Sequence, residues 1–397
     1  MSAANPTLPF PVQLSSSIRL DPVLLGATLS LLLGGLVVLA SASISVADNL
    51  TGDPFYYLGR QAIAAAVGVL AGFLCLHVPI RFWQSIGPLM LLLCFMLLVV
   101  VLVPGVGNKV NGSTRWIRLG FINLQASELA RLCLMIYLAG YLVRQNKTLR
   151  ERFTGFLKPM IVLALVSLLL LLEPDFGAAL VIVATAFAMM FVAGARLRDF
   201  FVFAGLAGAG AVVLAVTRQY RLERLTGFMD PWADPYNSAY QLTQSLIAIG
   251  RGEWFGVGLG DGVQKLFYLP DAHTDFVFAV FAEEFGLVGS FGLIALFAIL
   301  VSRIFTLGKR AADADRFFEA YLAIGIGTWL GLQAVINLGV NMGLLPTKGL
   351  TLPLLSYGRS SMIVALVSLG IMLRIHHELS EPGQPARPSR APRGSRR

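Results

Sequence analysis

The feature that most limits the fold of this chain is a succession of apolar stretches, each about as long as a bilayer crossing, running almost from end to end. A hydrocarbon core takes about 20 apolar residues per helix. Ten runs meet that pattern, near 23–46, 59–78, 86–103, 126–143, 159–172, 177–193, 199–217, 276–303, 317–340 and 360–377. Charged residues are 13% of the total, about half of the roughly 25% usual in soluble domains. They cluster between the runs, so no charged surface is left to dress a soluble globule. A soluble enzyme, a disordered chain and a coiled coil are excluded. The expectation is an all-α polytopic membrane protein with ten transmembrane helices and large extracytoplasmic loops.

The first run follows Asp21-Pro22 and is too long for the roughly 7–15-residue core of a signal peptide. Ala40-Ser41-Ala42 imitates a cleavage site, but the run continues past it. The fifth and sixth runs are separated only by Glu173-Pro174-Asp175, which reads as a tight helical hairpin broken by Pro174. Cys75, Cys94 and Cys133 all lie in apolar runs and read as free thiols.

The net charge of +9 bears on topology and not on nucleic acid. An even number of spans places both termini on one side. Most of the 31 Lys and Arg residues fall in the loops and tails of that side, which makes it cytoplasmic. Residues 1–20 are then a cytoplasmic tail and 21–378 the ten-helix membrane domain. Residues 379–397 form a basic tail whose Pro, Arg and Ser content reads as disordered. The two longest loops, near 104–125 and 218–275, face outward, and chemistry is expected there.

Ionisable groups at membrane depth are functional candidates by default. Glu128 and Arg131 are spaced to pair on one helix face, either as a self-neutralising structural pair or lining a polar cavity. Glu173 and Asp175 suit a solvated turn or a site. Arg60 suits interfacial snorkelling. Glu283 and Glu284 are adjacent and cannot face one cavity together. The stretch Asn108 to Arg118 alternates Lys109, Arg115 and Arg118 with Trp116 and small polar residues. It fits an anionic headgroup or an ordinary interfacial loop. Before the eighth run stands Asp271-Ala272-His273-Thr274-Asp275. Three readings are open: a helix cap at Thr274 or Asp275, a divalent metal site, or a carboxylate base at the membrane surface. The last outer loop carries Pro346, Lys348, Pro353 and Ser356-Tyr357-Gly358, non-helical backbone that supports an outward-opening polar cavity.

At these strings the sequence resembles the SEDS (shape, elongation, division and sporulation) family over about residues 21–378. The anchors are Arg115-Trp116-Ile117, Ser127-Glu128-Leu129-Ala130-Arg131, Glu173-Pro174-Asp175-Phe176-Gly177, His273-Thr274-Asp275-Phe276, Ala282-Glu283-Glu284 and Leu352-Pro353-Leu354-Leu355-Ser356-Tyr357-Gly358. Met229-Asp230-Pro231-Trp232-Ala233-Asp234-Pro235 favours the division branch over the elongation branch. The resemblance implies a glycosyltransferase that polymerises lipid II on the outer face of the bacterial inner membrane, at the division septum. It also implies a class B penicillin-binding transpeptidase partner (FtsI), other divisome proteins such as the FtsQ-FtsL-FtsB complex, and no nucleic acid. Asp275 matches the family's catalytic acid, and Asp175 an acid important for activity. Arg131 stands where Lys is usual, Asp271 where Glu is usual, and position 126 lacks a common Pro. Arg359 stands where Gly is usual, which raises the question of a φ > 0 position.

The implied reaction is one inverting displacement, with Asp275 as base and cations at the leaving pyrophosphate. Arg131, Glu128, Asp175, Arg115, Lys109, Arg60 and Lys348 are the substrate-site candidates. Asp271 and His273 are supporting or metal-linked candidates. A Mg²⁺ or Mn²⁺ ion is compatible with pyrophosphate chemistry, but no closed metal cage is visible in the sequence. A lipid II flippase and a non-catalytic scaffold are the rival classes.

Overall fold

The computed structural model describes residues 18–110, 113–119, 122–216, 227–237, 239–347 and 349–381. Each of the ten apolar runs lies on a helix. These are α1 (Pro22–Thr51), α2 (Tyr56–His77), α4 (Gly87–Leu102), α5 (Ala126–Arg144), α7 (Phe153–Leu172), α8 (Phe176–Val192), α9 (Leu197–Val216), α11 (Val277–Asp313), α12 (Phe317–Asn341) and α13 (Arg359–Ser380). Short helices α3 (Ile80–Ser85) and α6 (Asn146–Glu151) join neighbours, and α10 (Tyr240–Arg251) lies in the large loop before α11. Among the described residues seven helices are long and apolar enough to cross a membrane, and α4 and α8 are shorter apolar helices. The chain is a multi-pass membrane protein.

Helices α5 and α12 are the most enclosed. Around them α1, α2, α4 and α7 turn Leu33, Leu70, Leu92 and Leu168 outward, as expected where lipid is the solvent. Helix α1 starts where Asp21 accepts hydrogen bonds from Val23 N (3.1 Å) and Leu24 N (3.0 Å). Asp21 also meets Arg303 of α11 at 2.7 Å and His376 of α13 at 3.3 Å. Arg316 joins Glu319 and Glu378 in the same region. The end of the bundle at which α1 begins and α13 ends is therefore clasped by ion pairs.

At the opposite end the stretch expected as an interfacial loop is a small antiparallel sheet. Strands β1 (Gly107–Val110), β2 (Ser113–Leu119) and β3 (Ile122–Gln125) lie in the order β1-β2-β3, with Trp116 paired to Asn108 and to Gln125. Strands this short give too few alternations to be read from sequence. The all-α expectation thus holds for the membrane part and is corrected for this cap.

Helix α11 runs past the expected run to Asp313 and is broken at Gly286, whose φ of 65° and ψ of −163° are not helical. Glycine alone takes that backbone without strain. The break is spliced with the preceding loop. Leu287 N and Val288 N donate to Glu253 O (2.9 Å) and Trp254 O (3.0 Å), and the carbonyls of Glu283 and Glu284 accept from Val257 N (3.0 Å) and Gly258 N (3.1 Å). Four backbone groups freed by the break are thereby satisfied, as a low-dielectric surrounding demands.

Candidate functional site

Asp275 sits immediately before α11, half-buried, in a turn that other elements hold in place. Its carbonyl accepts from the side-chain amides of Asn337 (2.8 Å) and Asn341 (3.0 Å), both on α12. Two residues earlier the carbonyl of His273 accepts from Tyr357 N at 2.9 Å. Gly349 lies alongside: a Cβ built on it would stand 3.4 Å from Asp275 Oδ2. The carboxyl-bearing turn is therefore fixed through its main chain by α12 and by the loop before α13.

Helix α11 does not take its cap from Thr274, whose hydroxyl donates to Asp271 O at 3.2 Å. The residue at the cap position is Phe276, and Asn341 Oδ1 accepts from Ala279 N at 3.1 Å. The capping expectation is corrected accordingly for Thr274. Among the described residues no group of three or more His, Cys, Asp or Glu side chains could hold a metal ion. The His273 ring instead packs on Tyr57, with centroids 4.6 Å apart, and on Tyr357 at 5.9 Å. Burial lowers the pKa of His273, against an upward pull from Asp271, so the ring is held neutral,. Asp271 is exposed, and Gln241 reaches its carboxylate at 3.4 Å.

Residues 333, 337 and 341 form a polar stripe four apart along α12, one face of one helix. Asn337 also donates to Leu350 O at 2.6 Å, tying the Asp275 turn to the Gly349–Leu350 loop. Gln333 donates to Thr351 O (2.9 Å) and accepts from Trp329 (2.7 Å) and Arg131 (2.9 Å). Arg131 is 1% exposed, lies 3.3 Å from Glu128 and stacks over Trp329 at 5.1 Å. The Glu128–Arg131 pair therefore belongs to a buried network that reaches the Asp275 region through α12. It offers no open surface in this conformation. Sequence reasoning missed Gln333, Asn337 and Asn341. The available signal was three amides at i, i+4 and i+8 inside an apolar run, which lipid-facing positions would not retain.

The hairpin tip is not a solvated turn. Glu173 is 0% and Asp175 4% exposed. Asp175 caps α8 through Ala178 N (3.1 Å) and accepts from Ser127 Oγ (3.0 Å). Arg115 on β2 donates to the carbonyls of Glu173 and Pro174 and lies 4.0 Å from Asp175 Oδ2, which pins the sheet to the hairpin. Burial, with Asp175 beside it, pushes the Glu173 carboxyl up to about 9. Arg60 is exposed and lies 4.1 Å over the Tyr56 ring, as a snorkelling cation would. Lys109 lies on β1, and its side chain and all of Lys348 fall outside the described residues.

Two further groups complete the surroundings. Gln61 on α2 is buried, donates to Ser356 O (3.1 Å) and accepts from Gly358 N (3.2 Å). Glu283 accepts from Val263 N (2.9 Å) and Gln264 N (3.2 Å), while Glu284 pairs with Lys265 at 2.5 Å. The two adjacent acids thus hold the loop that leads into Asp275, each with its own partner. Arg359 opens α13 in helical conformation with no positive φ, so the glycine-like backbone expected there is not required.

The sequence matches the cell cycle protein family of FtsW, RodA and SpoVE over residues 22–381. The chain belongs to this family. It is 55% identical over 368 residues to a probable peptidoglycan glycosyltransferase FtsW of Thioalkalivibrio sulfidiphilus, covering 92% of this chain and 91% of that one. Its fold is similar to a chain in a solved peptidoglycan synthase complex that coordinates polymerization and crosslinking. There the TM-score is 0.75 and the identity 32%, with 92% of this chain and 100% of that chain covered. The Thermus thermophilus rod shape determining protein RodA gives a TM-score of 0.67 at 30% identity, covering 92% of this chain and 99% of that chain.

Proposed function

We propose that the chain is a peptidoglycan glycosyltransferase of the division type, polymerising lipid II at the outer face of the bacterial inner membrane. The observation that carries this reading is Asp275, held by its main chain at the start of α11 with its carboxyl group beside the Gly349 loop. The relatives' shared naming supports the reaction class. In this reaction the acceptor's sugar 4-hydroxyl attacks the donor's anomeric carbon, Asp275 takes the hydroxyl proton, and undecaprenyl pyrophosphate leaves. Base assistance of this kind is worth about 10²–10⁴ in rate. Arg115, Lys109, Lys348 and Arg60 are the cations we place nearest the leaving group. Arg131 and Glu128 act through α12. Any Mg²⁺ or Mn²⁺ ion is placed on the substrate's pyrophosphate, since the described side chains form no cage.

The same proposal includes ten spans, both termini in the cytoplasm, and placement at the septum. It also includes a class B penicillin-binding transpeptidase as partner, supported by the likeness to a polymerising and crosslinking complex, with FtsQ-FtsL-FtsB as further contacts. The test is lipid II polymerisation by the purified chain with its transpeptidase. Asp275→Asn is expected to lose about 10²-fold or more. Near-parental polymerisation by that variant rejects the base, and transport of lipid II without polymerisation would point to a flippase.

A further inference from the structure

A cavity of about 730 Å³ lies between α1, the start of α2 and residues 259–266 of the loop before α11, lined by residues that include Val37, Ala40, Ser41, Leu58, Leu259 and Lys265. Its size falls within the roughly 300–1,000 Å³ of ligand pockets. The α1 residues lining it flank Ala42, which shares one buried cluster with Ala272 and Phe276 on either side of Asp275. Leu58 follows Tyr57, whose ring is 4.6 Å from His273. The 259–266 stretch runs on directly into Asp275. The cavity is apolar along α1 and polar at one wall, where Lys265 Nζ meets Ser41 Oγ at 2.7 Å and pairs with Glu284.

On the glycosyltransferase reading, we propose that this cavity holds the isoprenoid tail of a lipid-linked substrate whose sugar lies at Asp275. A bilayer is as apolar as the cavity, so a chain gains nothing from dehydration on entering it. Retention must come from a second attachment on the same molecule, which raises the effective concentration of the tail at the cavity. A pyrophosphate-linked sugar engaged at Asp275 supplies that attachment, and a bulk phospholipid does not. Two of the three protons of the Lys265 ammonium are taken by Ser41 and Glu284, which leaves one for a phosphate oxygen at the cavity wall.

The test uses the full chain reconstituted with its transpeptidase and a lipid II analogue carrying a diazirine in its isoprenoid. Adducts are expected on α1 between Leu36 and Ser45 and on residues 259–266. Excess unlabelled lipid II should suppress them and excess phosphatidylglycerol should not. Adducts confined to other helices, or equal suppression by phosphatidylglycerol, would overturn the assignment. Ala40→Trp, which fills the cavity, is expected to lower kcat/KM for the full-length tail about tenfold, the low end for a change in an apolar pocket, and to spare a short-tailed analogue. Equal losses for both tails would also overturn it. Should Ala40→Trp fail to insert, the adduct map on the unaltered chain decides alone. Absence of polymerisation by that unaltered chain rejects the enzymatic reading, whereas α1 adducts with or without turnover report on the cavity.

Discussion

Asn337 and Asn341 donate to one carbonyl, that of Asp275, and their removal should be strongly non-additive. Asn341→Ala deletes hydrogen bonds to Asp275 O (3.0 Å) and Asn337 O (2.8 Å) and from Ala279 N (3.1 Å), with a longer, shared one to Asn337 Oδ1 (3.4 Å). Two of the affected groups keep another partner: Asp275 O retains Asn337 at 2.8 Å, and Ala279 N retains Phe276 O at 3.0 Å. The full penalty of an orphaned group is therefore avoided, and the loss is about 3 kcal/mol from three ordinary bonds of roughly 1 kcal/mol each. Asn337→Ala likewise leaves the Asp275 carbonyl one donor. The double variant leaves it none of the two, so the second change costs an extra ~1–2 kcal/mol beyond the sum. Thermal unfolding of the four proteins in one detergent measures this coupling. Polymerisation should fall about 10²-fold in the double variant, because a displacement of about 1 Å of a reacting group costs that much, and by less in each single variant, where one donor still holds the carbonyl. Additive stabilities together with parental rates would refute the shared clamp.

Glu173 makes a pH prediction. Its carboxyl holds its proton to about 9 when folded, against an ordinary value of 4.5. The folded state thus keeps a proton that the unfolded state has released, and stability falls as pH rises between those values, by at most ~1.4 kcal/mol per unit. Glu173→Gln should remove that fall, gaining on the parent in thermal unfolding from about pH 6 to about pH 9; parallel profiles would count against a protonated Glu173. Gly349→Ala should cost about 1–2 kcal/mol, since the φ there is 64° and a left-handed backbone carries that penalty for a side chain. It should also reduce polymerisation by crowding Asp275, and a variant equal to the parent in both respects would show that the loop yields. In a background lacking Cys75, Cys94 and Cys133, Tyr236→Cys and Asp313→Cys should label from opposite faces of the membrane with an impermeant reagent. Labelling of both from one face would reverse the proposed orientation.

The helical frame was legible because an apolar run of bilayer length has only one way to satisfy its backbone in lipid. Asp275 was legible too, as a carboxylate at the mouth of a run. What fixes it was not, because Asn337 and Asn341 are uncharged and their target is a main-chain carbonyl distant in sequence. Glu283 and Glu284 were visible as adjacent acids that cannot share one cavity, yet nothing local singled out Lys265 in the preceding loop as the partner of Glu284. The Glu173–Asp175 turn looked solvated because its short connection carries two acids. Its burial depends on Arg115 and the sheet, which come from another part of the chain. Long-range pairing of polar groups is the information that hydropathy leaves out.

The splice between the loop at Glu253–Gly258 and the break at Gly286 has a consequence for where this chain tolerates change in length. Its four hydrogen bonds interlock two segments residue for residue. One residue inserted or deleted in either segment would put every bond out of phase and strand polar backbone in a poorly hydrated region. A fluorescent tag or epitope placed in the large loop before α11 should therefore be accepted ahead of α10, where the chain is exposed around Tyr236, and rejected between Glu253 and Val288. Natural relatives should vary in loop length on the first side of that boundary and keep a fixed count on the second.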